Sequence, residues 1–272
     1  VFENTRSPAT YLNRTRSGGT TVPGDADPGA PPAWRRVSNG TTARWHDHRV
    51  HWMGGQPPPR VRRAPGRHHV VVPRWEVEMR LDGRAVVAHG TLEWVPGPSP
   101  VPWLALAALA AGAGVAAALP RRWPATLAAA LGLLVAVDVA HLAGIAWAAA
   151  GGVGQRALGA LGSGFYSLLA WGAAGVAFWL LARGRRADAC YPAAFAAFLV
   201  ALVGGLADVT DLYRSQVPFA GPAALARLLV AVSLGLGAGV VGAAVLALRR
   251  LRPAPVAGPA AARRPPAGRR LT

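Results

Sequence analysis

Near Pro100 the chain changes character: a polar stretch rich in arginine and proline gives way to about 150 residues in which apolar runs alternate with short arginine clusters. Lipid offers no hydrogen-bond partner to an open backbone, so a chain that crosses it must satisfy its own amides, and these runs are expected to be helices. The expected fold is an α+β membrane protein. An N-terminal extracytoplasmic β-sandwich-like domain covers residues 1–98, a five-helix transmembrane bundle covers 99–250, and a disordered basic cytoplasmic tail covers 251–272.

Five runs have the length to cross a bilayer core of about 30 Å, which takes about 20 helical residues. They are Val101 to Leu119, Pro124 to Ala150, Ala157 to Ala182, Ala189 to Asp208 and Ala223 to Leu248. Arg121 and Arg122 follow the first run, Arg183, Arg185 and Arg186 the third, and Arg249, Arg250 and Arg252 the fifth, whereas the alternate connections hold only Arg156 and Arg214. By the positive-inside rule the clusters and the tail are cytoplasmic and residues 1–98 lie outside, in a multi-pass protein of the plasma membrane. Within the runs, Gly235 and Gly239 have the spacing that lets two helix backbones approach closely, either inside the bundle or between two copies.

The net charge of +17 is carried by 29 arginines and no lysine. Residues 1–98 hold 14 Arg against 8 acids, and from Leu248 onward there are 7 Arg and no acid. Beside a membrane such a tail reads as an orientation signal or a contact with anionic lipid. No nucleic-acid motif accompanies the charge, so no nucleic-acid partner is expected. Cys190 is the single cysteine, which excludes an intramolecular disulfide and a multi-cysteine metal site. No signal peptide is visible, although an exported first domain requires one, so the expectation is that the N-terminus is truncated. There is no nucleotide loop, no Ser-His-Asp context and no zinc-hydrolase helix, and an enzyme is not expected.

Arg74 to Leu81 alternates, with Trp75, Val77, Met79 and Leu81 on one face, and reads as a half-buried strand. Asp82-Gly83 supplies a tight hairpin turn, and Val86, Ala88, Gly90, Leu92 and Trp94 form the apolar side of the returning strand. One oily face calls for a covering sheet, hence the expected sandwich. Between Ser17 and Pro32, and between Gly54 and Pro65, Gly and Pro dominate and no regular element is expected.

Six of the seven histidines fall in this first domain, with His46, His48, His51 and Met53 packed into one short tract. On a strand His46 and His48 share a side; His51 and Met53 have the opposite parity, so a turn near Arg49 is needed for all four to converge. Imidazole and thioether together suit copper, and His68 and His69 are candidate ligands from a second strand. The same residues also read as an aromatic and polar packing surface, with Asp47 and Arg49 paired across a turn. In the bundle, Asp138 and His141 lie three residues apart on one helix face, and a mid-membrane carboxylate must face the interior and find a partner. Asp208 and Asp211 sit at the outer end of the fourth run, where His141 can approach, and Ser163 and Tyr166 of the third run are further candidates. The cluster reads either as structural glue or as an ion or proton path.

Ser7-Pro8-Ala9-Thr10-Tyr11-Leu12-Asn13, Pro32-Ala33-Trp34-Arg35-Arg36-Val37, Ala43-Arg44-Trp45-His46-Asp47-His48, His51-Trp52-Met53-Gly54 and Gly90-Thr91-Leu92-Glu93-Trp94 carry a resemblance. The chain resembles actinobacterial membrane proteins with an exported β domain and a C-terminal helical bundle, a group with no established activity. The resemblance covers most of the first domain and implies a signal peptide and further N-terminal strands. More loosely, the chain resembles exported copper-handling proteins that join a β-sandwich to membrane helices, which implies a metal ion and a membrane or exported protein as partners.

Overall fold

A computed structural model of the chain describes residues 1–13, 21–37, 39–40, 47–148, 153–154, 156–157 and 164–251. The chain divides into two compact units, a polar one of Val1–Ser99 with Tyr213–Val217 and an apolar one built from the helices after Pro100.

In the polar unit, β1 (Phe2–Asn4) pairs antiparallel with β2 (Trp34–Arg36), and between them lies one turn of helix, α1 (Pro8–Leu12). A 3₁₀ turn at His48–Val50 and a second short helix, α2 (Pro59–Arg63), precede the hairpin of β3 (His69–Leu81) and β4 (Arg84–Trp94). The hairpin turn takes left-handed φ values of 49° at Asp82 and 77° at Gly83, the geometry that matches strand twist. Register shifts flank Val72 on both sides, before Trp75, and in that stretch Pro73 has no N–H to give to the ladder. Trp75 then pairs with Gly90, and its ring occupies the space where a side chain on Gly90 would sit, 2.5 Å from a would-be Cβ.

The alternation along both strands survives in the fold, but the expected sandwich is present only as two separate two-stranded sheets. Val77 is buried while Met79 and Leu81, on the same face, stay 37% and 64% exposed, and among the described residues no second sheet covers the hairpin toward its turn. The stretch Gly54 to Pro65 is also more regular than expected: Pro59 starts α2, where its fixed φ fits a first helical position and its missing N–H costs nothing.

The apolar unit consists of α3 (Val101–Ala116), α4 (Trp123–Ala148), α5 (Phe165–Ala182), α6 (Arg186–Leu199) running on into a π-helical segment (Val200–Leu206), a 3₁₀ turn (Val209–Leu212) and α7 (Ala223–Leu251). Four of these are long and apolar enough to cross a bilayer: Trp123–Ala148, Phe165–Ala182, Arg186–Leu206 and Ala223–Leu251. The first expected span is shorter. With 16 residues α3 rises about 24 Å, against a hydrocarbon core of about 30 Å.

The core is alanine-dense. Leu127, Leu131 and Leu134 of α4 meet Ala170, Ala174 and Ala177 of α5, Ala193, Ala196 and Ala197 of α6, and Val240 and Ala243 of α7. These spacings of three and four place each set on one helix face, and the small side chains let the backbones approach. Contact is closest between α3 and α7. A Cβ on Gly235 would lie 2.0 Å from the carbonyl oxygen of Ala107, and one on Gly239 would lie 2.4 Å from that of Ala111. Farther along, Arg250 donates to the carbonyl of Ala118 at 2.6 Å, so α3 and α7 run parallel. Trp123, Cys190, Ala247 and Leu248 pack together, which gathers the start of α4, the start of α6 and the end of α7. Arg121 and Arg122, Arg185 and Arg186, and Arg249 and Arg250 therefore share one end of this unit.

Candidate functional site

The other end leads to the buried polar groups. α4 presents Asp138 near its middle and His141 one turn later, and both are at least 97% buried. A carboxylate in such surroundings is costly unless donors reach it. Trp171 of α5 supplies one, its indole Nε1 donating to Asp138 Oδ2 at 2.8 Å. Ser167, one turn earlier on α5, supplies a second side-chain hydrogen bond. His141 turns the other way: its Nε2 lies 2.9 Å from Oδ2 of Asp208, just beyond the π segment, and the Asp208 side chain is 36% exposed. Phe219 stacks on the imidazole with ring centres 6.3 Å apart and covers Gly144, where a Cβ would lie 1.9 Å from the ring. The result is three titratable groups at graded depth: a partly exposed carboxylate bonded to a buried imidazole and, one helical turn from that imidazole, a buried carboxylate held by donors of α5.

Two buried atoms near these groups have no hydrogen-bond partner among the described residues: Nδ1 of His141 and Oγ of Ser233 on α7. The π segment brings Gly204 against Asp138, and the second glycine of the pair, Gly205, lies against the backbone of Leu234, 2.7 Å from a would-be Cβ. Single π turns widen a helix locally and occur often at functional sites.

Several expected members fall elsewhere. Asp211 is buried, but the structure places it beside Arg227, whose Nε donates to its backbone carbonyl at 3.1 Å. Tyr166 is largely exposed, and Ser163 lies outside the described residues. Trp171, Ser167, Gly204 and Ser233 were missed from sequence; the four-residue spacing of Ser167 and Trp171 and the paired Gly204-Gly205 were the available signals.

In the polar unit the 3₁₀ turn breaks the strand parity that would have separated His48 from Met53. Asp47 caps that turn by accepting from the backbone N–H of Arg49, and its carboxylate also takes Nε and Nη2 of Arg49 at 3.0 and 2.7 Å. His48 Nε2 donates to the carbonyl of Leu12 at 3.0 Å, and its Nδ1 lies 3.1 Å from the Met53 sulfur. The ring of His51 stands edge-on to that of His48 at 6.3 Å between centres. His46 lies outside the described residues. His68 is instead paired with Glu93 at 2.8 Å, and this hydrogen bond, with a second from Thr91, holds the Glu93 carboxyl below the usual range. His69 Nε2 donates to the carbonyl of Ala64 at 2.8 Å. Among the described residues no three His, Cys, Asp or Glu side chains are gathered closely enough to hold a metal ion.

No family model matches the chain, and no curated protein or solved structure does either.

Proposed function

We propose that this is an integral membrane protein that takes up a proton or small cation from the arginine-poor end of its bundle and holds it at a buried carboxylate. The observation that carries this reading is the graded line Asp208, His141, Asp138, in which a hydrogen-bonded imidazole separates a partly exposed acid from one that is 98% buried. The support is the depth gradient itself: one helical turn on α4 separates the buried carboxylate from an imidazole bonded to a partly exposed acid. The role is one of binding and relay rather than catalysis. After a stepwise fall in pH the detergent-solubilised full chain should take up protons, read with a pH-sensitive dye, in a phase that is several times slower or missing in Asp138→Asn, which keeps the shape of the side chain and is cheaper to bury. Equal rates would remove the reading.

The topology that fits is five spans, with the arginine clusters cytoplasmic and the polar unit outside. It is supported by α3 running parallel to α7 along the contact from Ala107 to Ala118, as the first and fifth helices of an up-and-down bundle must. Reporters fused after Arg122, Arg186 and Thr272 should report cytoplasm, and reporters near Gly152 and Ser215 should report the exterior. If α3 does not cross, Val1 and Thr272 will lie on the same side.

A second reading concerns the polar unit, which we propose as a copper site built on His48 and Met53. It is supported by the imidazole and thioether facing each other while the far nitrogen is anchored on a backbone carbonyl, the arrangement that orients a metal-binding histidine. Soft and borderline donors of this kind favour Cu(I). Titration of the full chain with Cu(I) should show affinity at least tenfold weaker in Met53→Leu and in His48→Ala; unchanged binding would leave the tract as a packing surface.

A further inference from the structure

The imidazole of His141 is bonded on one side only. Nε2 faces Oδ2 of Asp208 at 2.9 Å, while Nδ1 is buried and has no partner among the described residues. Phe219 lies against this imidazole, the two ring planes 20° apart. Several features of the fold hold that one phenyl ring. A side chain on Gly144, one turn beyond His141 on α4, would run into its Cε2, Cζ and Cδ2, and one on Gly221 would stand 3.2 Å from Cε1 on the opposite edge. The N–H of Ala220 donates to the carbonyl of Gly144 at 2.9 Å, which pins the residue after the ring to the helix. Gly221 takes a φ of 147°, which L side chains rarely adopt, and Pro218 and Pro222 bracket the segment with their fixed φ. Pro218 and Ala220 are exposed and Phe219 is half-buried, so the ring stands between the surface of this unit and the buried histidine.

We propose that Phe219 is a seal that keeps solvent off the imidazole of His141, so that the buried groups exchange protons through Asp208. This deepens, and rests on, the reading of the bundle as a unit that takes up a proton. Of the three titratable groups, Asp208 is the one that reaches solvent, with its carboxylate on Nε2 and its side chain 36% exposed. A solvent path to Nδ1 would bypass it. An apolar ring laid nearly parallel to an imidazole excludes water and offers no hydrogen bond of its own. The segment from Pro218 to Pro222 also brings no charge; the charged groups acting on the imidazole are Asp208 and, one turn back on α4, Asp138. Phe219 acts through His141 and is a positioning residue.

The test is acylation of the detergent-solubilised full chain with diethyl pyrocarbonate at neutral pH, read by mass spectrometry at each histidine. A buried group is labelled through local opening, so His141 should react about tenfold slower than the exposed His89 of the same chain. Phe219→Ala should speed labelling of His141 by about fivefold and leave His89 unchanged. Phe219→Leu refills most of the space with an apolar side chain and should stay near the parent. Gly144→Ala should act like Phe219→Ala, because its methyl evicts the ring, and combining the two should add nothing further. In the dye measurement of proton uptake, Asp208→Asn should slow the parent several-fold but slow Phe219→Ala by less than about twofold, since the two changes act on one route. A lower melting temperature in Phe219→Ala with His141 as slow to label as in the parent, or an Asp208→Asn effect of equal size in both backgrounds, would overturn the seal and leave proton uptake standing. If the parent shows no uptake phase that Asp138→Asn removes, the uptake reading falls and the labelling contrast alone decides the seal.

Discussion

Gly235→Leu and Gly239→Leu should each cost about 3 kcal/mol or more and sharply reduce the yield of folded protein. Overpacking a core that can yield costs about 1–3 kcal/mol, and here the obstruction is backbone rather than side chain. The would-be Cβ atoms meet the Ala107 and Ala111 carbonyl oxygens at 2.0 and 2.4 Å, and Gly114 of α3 faces Gly239 with the same lack of room. Even alanine forces the two helices apart, and with them the tie between Arg250 and Ala118. Gly112 and Gly172 provide the control: nothing stands within 4 Å of their missing Cβ atoms, so alanine there should be neutral or stabilise by up to about 1 kcal/mol through helix propensity. Thermal unfolding in detergent, followed by size-exclusion profile, separates the two sets. It also decides between the two roles of the glycine spacing. If Gly235 formed a face between copies, its substitution would change oligomeric state and leave the melting of the monomer alone.

Trp171→Phe should destabilise the bundle by about 1–2 kcal/mol although it removes little apolar area. Its indole N–H serves a carboxylate that is 98% buried, and hydrogen bonds to charged groups are worth about 1.5–3 kcal/mol in water-soluble proteins and somewhat less between membrane helices. Asp138→Asn combined with Trp171→Phe should be non-additive, with a coupling of about 1 kcal/mol, because both changes strike one hydrogen bond. Asp138→Asn with His141→Ala should couple more weakly than Asp138→Asn with Trp171→Phe. His141 is bonded to Asp208 rather than to Asp138, so the two substitutions act on separate links of the line. A coupling larger for Asp138 with His141 than for Asp138 with Trp171 would contradict this arrangement.

What the sequence by itself determined is what depends on near neighbours. Alternation from Trp75 to Leu81 and from Val86 to Trp94 made a hairpin wherever else the chain went, and Asp82-Gly83 set its turn, because side-chain direction and positive φ are local properties. Uninterrupted apolar runs made helices, and the isolation of Asp138 and His141 within one of them marked an interior site. The approach of Asp208 to His141 was legible too, since the end of the fourth run returns toward the end of the second.

The tertiary structure decided everything that depends on which face meets which. It gave Gly235 and Gly239 to α3, chose Trp171 and Ser167 as the donors to Asp138, and turned the end of α6 into a π segment so that Gly204 meets that carboxylate. It also brought Met53 to His48 by breaking the strand at a 3₁₀ turn, and among the described residues it left the hairpin without a covering sheet. Periodicity tells a helix which side is apolar. In a bundle whose residues are apolar on nearly every side it cannot choose the neighbour; that choice falls to close packing of small residues and to the few buried polar groups that must find one another.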